Sequence, residues 1–164
     1  MKKFIIIFTA FFSFNAYAEN LSLKILDSWF EKGSETCADF NEGEFLLKFN
    51  PIKIMDITND GINDYILAEI SGRCENSHSL FAGGTGGTVD RVYVNPTIEN
   101  FKFDNYITLF TRGWKIIDYN GKVALEIIEH GNVCDVAGYI GCVSKIFVSP
   151  SGIELLEGPV PKAE

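Results

Sequence analysis

The sequence contains few of the side chains and motifs on which catalysis usually depends. It has only two histidines, His78 and His130, and no G-x-S-x-G run that would mark a nucleophile elbow. No lysine follows the glycine-rich patch at residues 83–87, and Val89 stands where a dinucleotide fingerprint needs its third glycine. These absences count against esterase-type hydrolases, P-loop nucleotidases and dinucleotide-binding enzymes.

Basic residues are also scarce. The chain has 14 Lys and Arg against 22 Asp and Glu, which gives a formal net charge of −8. Because an acidic surface repels phosphate backbones and anionic lipids, we expect no nucleic-acid partner. No segment after residue 14 has the ~20 apolar residues of a membrane helix, so we also expect no membrane span.

The start of the chain has the pattern of an export signal. Two lysines precede an apolar run at residues 4–14, and Ala16 and Ala18 supply the small residues that signal peptidase requires. We predict a signal peptide at residues 1–18, cleaved after Ala18, and a single β-rich domain at residues 19–164. The mature protein would then be periplasmic or secreted.

Four cysteines follow the predicted signal peptide: Cys37, Cys74, Cys134 and Cys142. An even number in an exported chain indicates two disulfides. Of the three pairings, we favour Cys37–Cys74 with Cys134–Cys142, because a glycine-containing stretch between the latter two could turn back on itself. Zinc bound by His130, Cys134 and Cys142 is an alternative, but the spacing matches no compact zinc signature. A catalytic thiol beside His130 is a weaker one, because a disulfide would consume the nucleophile.

The pattern of apolar residues predicts an α+β fold dominated by antiparallel sheet. Residues 21–32 have helical spacing, and Gly33 offers a stop. The remaining chain contains seven or eight predicted strands joined mostly by short turns. Asn120-Gly121 between two strand-like runs is a strong hairpin signal, and residues 149–152 predict a second hairpin.

One segment has the ligand spacing of a calcium loop. Between residues 56 and 64, oxygen-bearing side chains occupy relative positions 1, 3, 5 and 9, with Gly61 at position 6. The carbonyl at position 7 would complete a set of hard oxygen ligands for a structural calcium ion. The predicted ligands are Asp56, Thr58, Asp60, Ile62 and Asp64. The alternative is a metal-free Asp/Asn-rich turn, whose side chains bond the local backbone.

This run, D-I-T-N-D-G-I-N-D-Y-I-L, resembles the aspartate loop of FG-GAP and related calcium-binding β-propeller repeats. The resemblance implies two antiparallel strands around the loop and calcium bound by the residues named above. The whole chain is also similar to small exported bacterial proteins of unassigned function. These combine such a loop with a Ser-Leu-Phe and glycine-rich segment and a His-Gly…Cys…Cys segment. That similarity implies fold and export, and no particular activity.

Taken together, these features favour an exported, non-catalytic binding module with a structural calcium loop. Its partner would be another exported or envelope protein, and an inhibitor- or immunity-type binder is one such role. The alternative is a hydrolase acting on envelope material, with His130 near the glycine-rich loop. Its candidate ligand loop is formed by Gly83, Gly84, Gly86, Gly87 and His130. Its candidate catalytic partners are Ser77, Ser79, Glu126 and Glu129.

Overall fold

The computed structural model describes residues 5–162, and it describes side chains from Asn20 onward. One helix, α1 (Ile5–Asp39), precedes ten strands. The strands are β1 (Phe45–Leu47), β2 (Ile52–Met55), β3 (Asp64–Ala68), β4 (Gly72–Cys74), β5 (Thr88–Tyr93), β6 (Ile107–Thr111), β7 (Gly113–Tyr119), β8 (Lys122–Glu129), β9 (Cys142–Ser149) and β10 (Gly152–Pro161). Short 3₁₀ turns cover Glu69–Ser71, Gly84–Gly86 and Gly131–Cys134.

The strands form three antiparallel sheets, which confirms the predicted fold class. β1 pairs with β4, a second sheet has the order β2-β3-β5-β6, and a third has the order β10-β9-β8-β7. The sequence predicted seven or eight strands instead of ten. The short strand β4 has no alternating pattern of its own, and it is extended because it pairs with β1 in the register Phe45↔Cys74.

The β2-β3-β5-β6 sheet lies between two other layers. Tyr65 and Leu67 pack with the buried side of α1, whereas Ile66 packs with residues of the third sheet. This separation follows from strand geometry, because successive side chains of a strand point to opposite faces. The molecule is therefore built in three layers, with α1, the β2-β3-β5-β6 sheet and the β7–β10 sheet in that order.

Helix α1 does not end at Gly33, so the predicted stop is wrong. The helix continues to Asp39, and Gly33 is buried inside it. A Cβ placed on Gly33 would lie 2.5 Å from Cε2 of Phe45. The glycine is thus needed for the approach of an aromatic ring, and it does not break the helix.

Both predicted hairpins are confirmed. Asn120 and Gly121 have φ angles of 56° and 77° and join β7 to β8, which pair from Gly113↔Ile128 to Tyr119↔Lys122. β9 and β10 are joined by a tight turn, with Gly152 opposite Ser149. β10 is the longest strand, with ten residues from Gly152 to Pro161.

The predicted signal peptide remains a prediction. Lys2 and Lys3 lie outside the described residues, and residues 5–18 belong to the backbone of α1. In the part of the chain from residue 5 to residue 162, no helix has the length and apolar character needed to cross a membrane.

Candidate functional site

The predicted calcium loop forms the turn between β2 and β3. The two strands pair from Ile52↔Leu67 to Met55↔Asp64, so the loop closes an antiparallel hairpin as expected. Asn59 and Gly61 have φ angles of 58° and 84°, a left-handed conformation that Asn and Gly adopt most readily. The residue types favour this turn because Asn59 and Gly61 tolerate positive φ at the two positions that require it.

The first carboxylate of the loop holds the turn together. Asp56 accepts hydrogen bonds from the backbone N–H groups of Asp60, at 3.2 Å, and Gly61, at 2.8 Å. Asp60 in turn accepts a bond from the N–H of Ile62 at 2.9 Å. Asp60 is exposed, and its pKa is lowered mainly by the hydrogen bond from Asn95 and also by that from Ile62.

Asp64 lies at the base of the loop and is fully buried. Its Oδ2 accepts bonds from the N–H groups of Ile57 and Thr58 at 2.9 and 3.2 Å, and its Oδ1 accepts one from the N–H of Asn95 at 2.9 Å. Burial raises the pKa of this carboxyl despite these donors. Asp64 therefore fastens the loop to the end of β5, and its role as a metal ligand remains a prediction.

Asn95 is a member of the site that the sequence analysis missed. Its Nδ2 donates to Oδ2 of Asp60 at 2.5 Å, and its backbone is held at a φ of 47°. Its Oδ1 is buried without a hydrogen-bond partner, which is a costly state for an amide oxygen. The sequence does show a polar residue directly after a run of strand-forming residues. It does not show that the pairing of β5 with β3 brings this residue next to Asp60.

The oxygen atoms of this loop suit a hard cation, although they are not arranged as a finished metal site. The Thr58 hydroxyl lies 3.4 Å from Asp56 Oδ1 and 3.3 Å from Asp64 Oδ2. Among residues 5–162, no three His, Cys, Asp or Glu side chains form a group that could hold a metal ion. Calcium prefers carboxylate, hydroxyl and carbonyl oxygens, and the unpartnered Oδ1 of Asn95 adds one acceptor of that kind.

The cysteines form the two disulfides that the sequence analysis favoured. Cys37 is bonded to Cys74, and Cys134 is bonded to Cys142. No cysteine of the described chain is free. The sulfur atoms are therefore unavailable as zinc ligands or as a nucleophile beside His130.

Arg112 brings the glycine-rich loop and the loop after His130 to the same place. Its Nε and Nη2 donate to the carbonyl of Thr85 at 2.8 and 2.5 Å, and its Nη1 donates to the carbonyl of Tyr139 at 3.4 Å. Arg112 is the single residue between β6 and β7, so it lies at the corner where the chain passes from one sheet to the next. The sequence analysis placed both loops near a common site but missed this link.

The two histidines have contacts of a structural kind. The Nδ1 of His130 accepts a bond from the N–H of Asn132 at 3.3 Å, and a Cβ on Gly138 would lie 2.3 Å from its ring. The Nδ1 of His78 lies 3.4 Å from Nη1 of Arg73. None of these contacts is with a carboxylate, which would orient a catalytic imidazole, or with a hydroxyl, which the imidazole would activate.

The carboxylates proposed for the hydrolase alternative bond to neighbouring strands. Glu129 accepts a bond from the Ser144 hydroxyl at 2.5 Å, and Glu126 pairs with Lys115 at 2.8 Å. Ser77 makes a backbone bridge to Cys74. These contacts explain the residues as members of the sheets and of a turn, and the hydrolase alternative remains a prediction.

No protein-family model, curated protein or solved structure matches this chain.

Proposed function

We propose that this protein is an exported, non-catalytic binding module whose aspartate loop takes up a structural calcium ion. The observation that carries the proposal is the concentration of negative charge around one hydroxyl. Asp56 and Asp64 both lie within hydrogen-bonding distance of the Oγ1 of Thr58, and Asp56 also bonds the N–H group of Asp60. Burial is the main reason that the pKa of Asp64 is raised, and the negative charge of Asp60 acts in the same direction.

A divalent cation at this turn would offset this negative charge. The oxygen atoms that would receive it are those of the Asp56, Thr58, Asp60 and Asp64 side chains, together with the carbonyl of Ile62. When bound, calcium would supply positive charge and a fixed geometry to the hairpin. The residues of the loop supply the rest, since Gly61 permits the turn and Asp64 anchors it to β5.

The non-catalytic part of the proposal is supported by the contacts of the candidate catalytic residues. His130 bonds the local backbone, Glu129 bonds Ser144 and the cysteines are paired. A partner that is itself an exported or envelope protein suits a disulfide-bonded chain with an acidic surface. An inhibitor- or immunity-type role remains one example of such binding.

The test is a thermal melt of the oxidised protein in chelator and then in millimolar calcium. A ligand that binds only the native state stabilises it by ~2.7 kcal/mol at a hundredfold excess over its dissociation constant. We expect calcium to raise the melting temperature of the wild type and to leave that of Asp60→Ala unchanged. The same titration followed by calorimetry should show one binding event per chain.

The matched control is Asp118→Ala. Asp118 also accepts a backbone bond in a turn, from Gly121 at 3.0 Å, but it belongs to the β7–β8 hairpin. We expect this variant to keep the full calcium response. If the wild type does not respond, or if both variants lose the response, the loop is an ordinary turn and the calcium proposal fails.

A further inference from the structure

A groove of about 500 Å³ runs between α1 and the strand β2. Leu23 and Leu26 form its helix wall, and Phe49, Ile52 and Ile54 form its opposite wall. We call this the β2 groove. Leu23 and Phe49 are each 52% exposed and Ile54 is 41% exposed. An apolar surface that remains this accessible is typical of a binding site for another polypeptide.

The backbone along the groove has unused hydrogen-bonding groups. β2 is the edge strand of its sheet and pairs only with β3. The carbonyl of Pro51 accepts a hydrogen bond from the N–H of Ala68. In an antiparallel pair, the backbone groups of alternate residues point toward the partner strand. Those of Lys53 therefore point toward β3, and those of Ile52 and Ile54 point away from the sheet. The N–H of Ile52 is taken by the Asn50 side chain at 3.1 Å.

This edge differs from the edge that β10 forms in the third sheet. β10 is interrupted by two register shifts and contains Pro159 and Pro161, which cannot donate to an added strand. β2 has no proline or bulge within Ile52–Met55. The N–H of Ile54 and the carbonyls of Ile52 and Ile54 therefore form an open template for one further strand.

Two lysines lie beside this edge, although the protein is acidic overall. Lys48 is the one charged residue that lines the groove. Lys53 lies on the other face of β2, with its Nζ 4.6 Å from the ring centre of Trp114. An added strand would place alternate side chains on these two faces. Apolar side chains would enter the groove, and acidic side chains would meet Lys53.

We propose that the β2 groove receives an extended segment of the partner protein, in which apolar and acidic residues alternate. The segment adds to β2 as a fifth strand of the β2-β3-β5-β6 sheet. Its backbone bonds to Ile52 and Ile54, and its apolar side chains pack on Leu23 and Phe49. This inference rests on the proposed function as a binding module, and it is independent of calcium.

The test uses a fluorescein-labelled, end-capped heptapeptide that alternates valine and glutamate. The protein is expressed as the full chain with export and is purified with its disulfides formed. Fluorescence anisotropy should show saturable binding below ~1 mM peptide. A peptide with lysine in place of glutamate should bind at least about tenfold more weakly, because its charges would meet Lys53.

Two protein variants and one modified peptide separate strand addition from simple apolar contact. Phe49→Ala should weaken binding roughly tenfold, because the ring is lost from the groove wall. Ile54→Pro removes an outward N–H without removing a ladder bond, so it should weaken binding with the melting temperature nearly retained. A peptide N-methylated at alternate residues tests the same bond without altering the protein. Phe40→Ala, at a ring that is 61% exposed beyond the end of α1, should have no effect.

Several results would overturn the inference. One is the absence of binding to the wild type at millimolar peptide. Another is binding that Phe49→Ala abolishes but that N-methylation leaves intact, which would indicate an acyl chain or other apolar ligand. A third is self-association in sedimentation experiments that Phe49→Ala removes, which would make a second copy the occupant. The calcium melt is read separately, so loss of peptide binding and loss of the calcium response are distinguishable.

Discussion

At the scale of single residues, burial and polar partners have opposite effects on the pKa of Asp90. It is 8% exposed and accepts a bond from Nε1 of Trp114 at 2.6 Å. Burial raises its pKa above 3.8, whereas the bond from Trp114 and the charge of Lys53 act in the opposite direction. The native state therefore binds a proton at this site more readily than the unfolded chain does.

This difference predicts a pH dependence of stability. As the pH falls from above the raised pKa toward 3.8, the native carboxyl takes its proton before the unfolded one. The wild type should then gain stability relative to Asp90→Asn, by about 1.4 kcal/mol for each pH unit between the two pKa values. Urea unfolding of both proteins across this range measures the difference. A difference that stays constant or shrinks as the pH falls would contradict the assignment.

At the scale of elements, α1 and β1 pack closely because two glycines leave room for the ring of Phe45. Gly33 and Gly72 both face the ring of Phe45, with hypothetical Cβ distances of 2.5 and 2.6 Å. The ring cannot turn away, because it makes edge contacts with Trp29 and Phe81. The close approach of helix and strand therefore depends on two positions without side chains.

Gly33→Ala is expected to have the reverse of its usual effect in a helix. Alanine ordinarily gains about 1 kcal/mol over glycine, but here overpacking costs about 1–3 kcal/mol. We expect a net loss of about 1 kcal/mol in the free energy of unfolding, measured with urea. In a Phe45→Leu background the same change should be neutral or stabilising. A stabilising effect of Gly33→Ala alone would show that the ring has room to move.

Much of the fold could be predicted at this scale. The alternating apolar pattern, Asn120-Gly121 and the aspartate turn each depend on local chemistry, and each is found where it was predicted. Gly33 was misread because its reason is the ring of Phe45, which is distant in sequence. Asn95 and Arg112 were missed for the same reason, since their partners Asp60 and Thr85 are brought near only by the sheets.

At the scale of the whole molecule, the disulfides secure different parts of the architecture. Cys37–Cys74 joins the last turn of α1 to β4 across 37 residues, whereas Cys134–Cys142 closes a loop of 8 residues on the third sheet. In the loop-entropy account the longer closure contributes ~4 kcal/mol and the shorter one ~2.5 kcal/mol. The first bond therefore connects the helix to the small β1-β4 sheet, and the second bond constrains one loop.

Replacing each pair with alanine should separate these roles. We expect Cys37→Ala with Cys74→Ala to lower the free energy of unfolding more than Cys134→Ala with Cys142→Ala does. Equilibrium unfolding in urea measures both losses under oxidising conditions. Equal losses, or a larger loss at the shorter loop, would show that native contacts around the loops outweigh their length.

The order of the third sheet has a consequence for how the chain folds. Its strands β7, β8, β9 and β10 each pair with their neighbour in sequence. The β7–β8 and β9–β10 pairings have low contact order because tight turns close them, whereas β8 and β9 pair residues as far apart as Leu125 and Ile146. The sheet that contains the aspartate loop and the β2 groove pairs residues as far apart as Tyr65 and Tyr93. We therefore expect the two C-terminal hairpins to form before β3 pairs with β5, the step that brings together the sheet carrying the proposed binding surfaces.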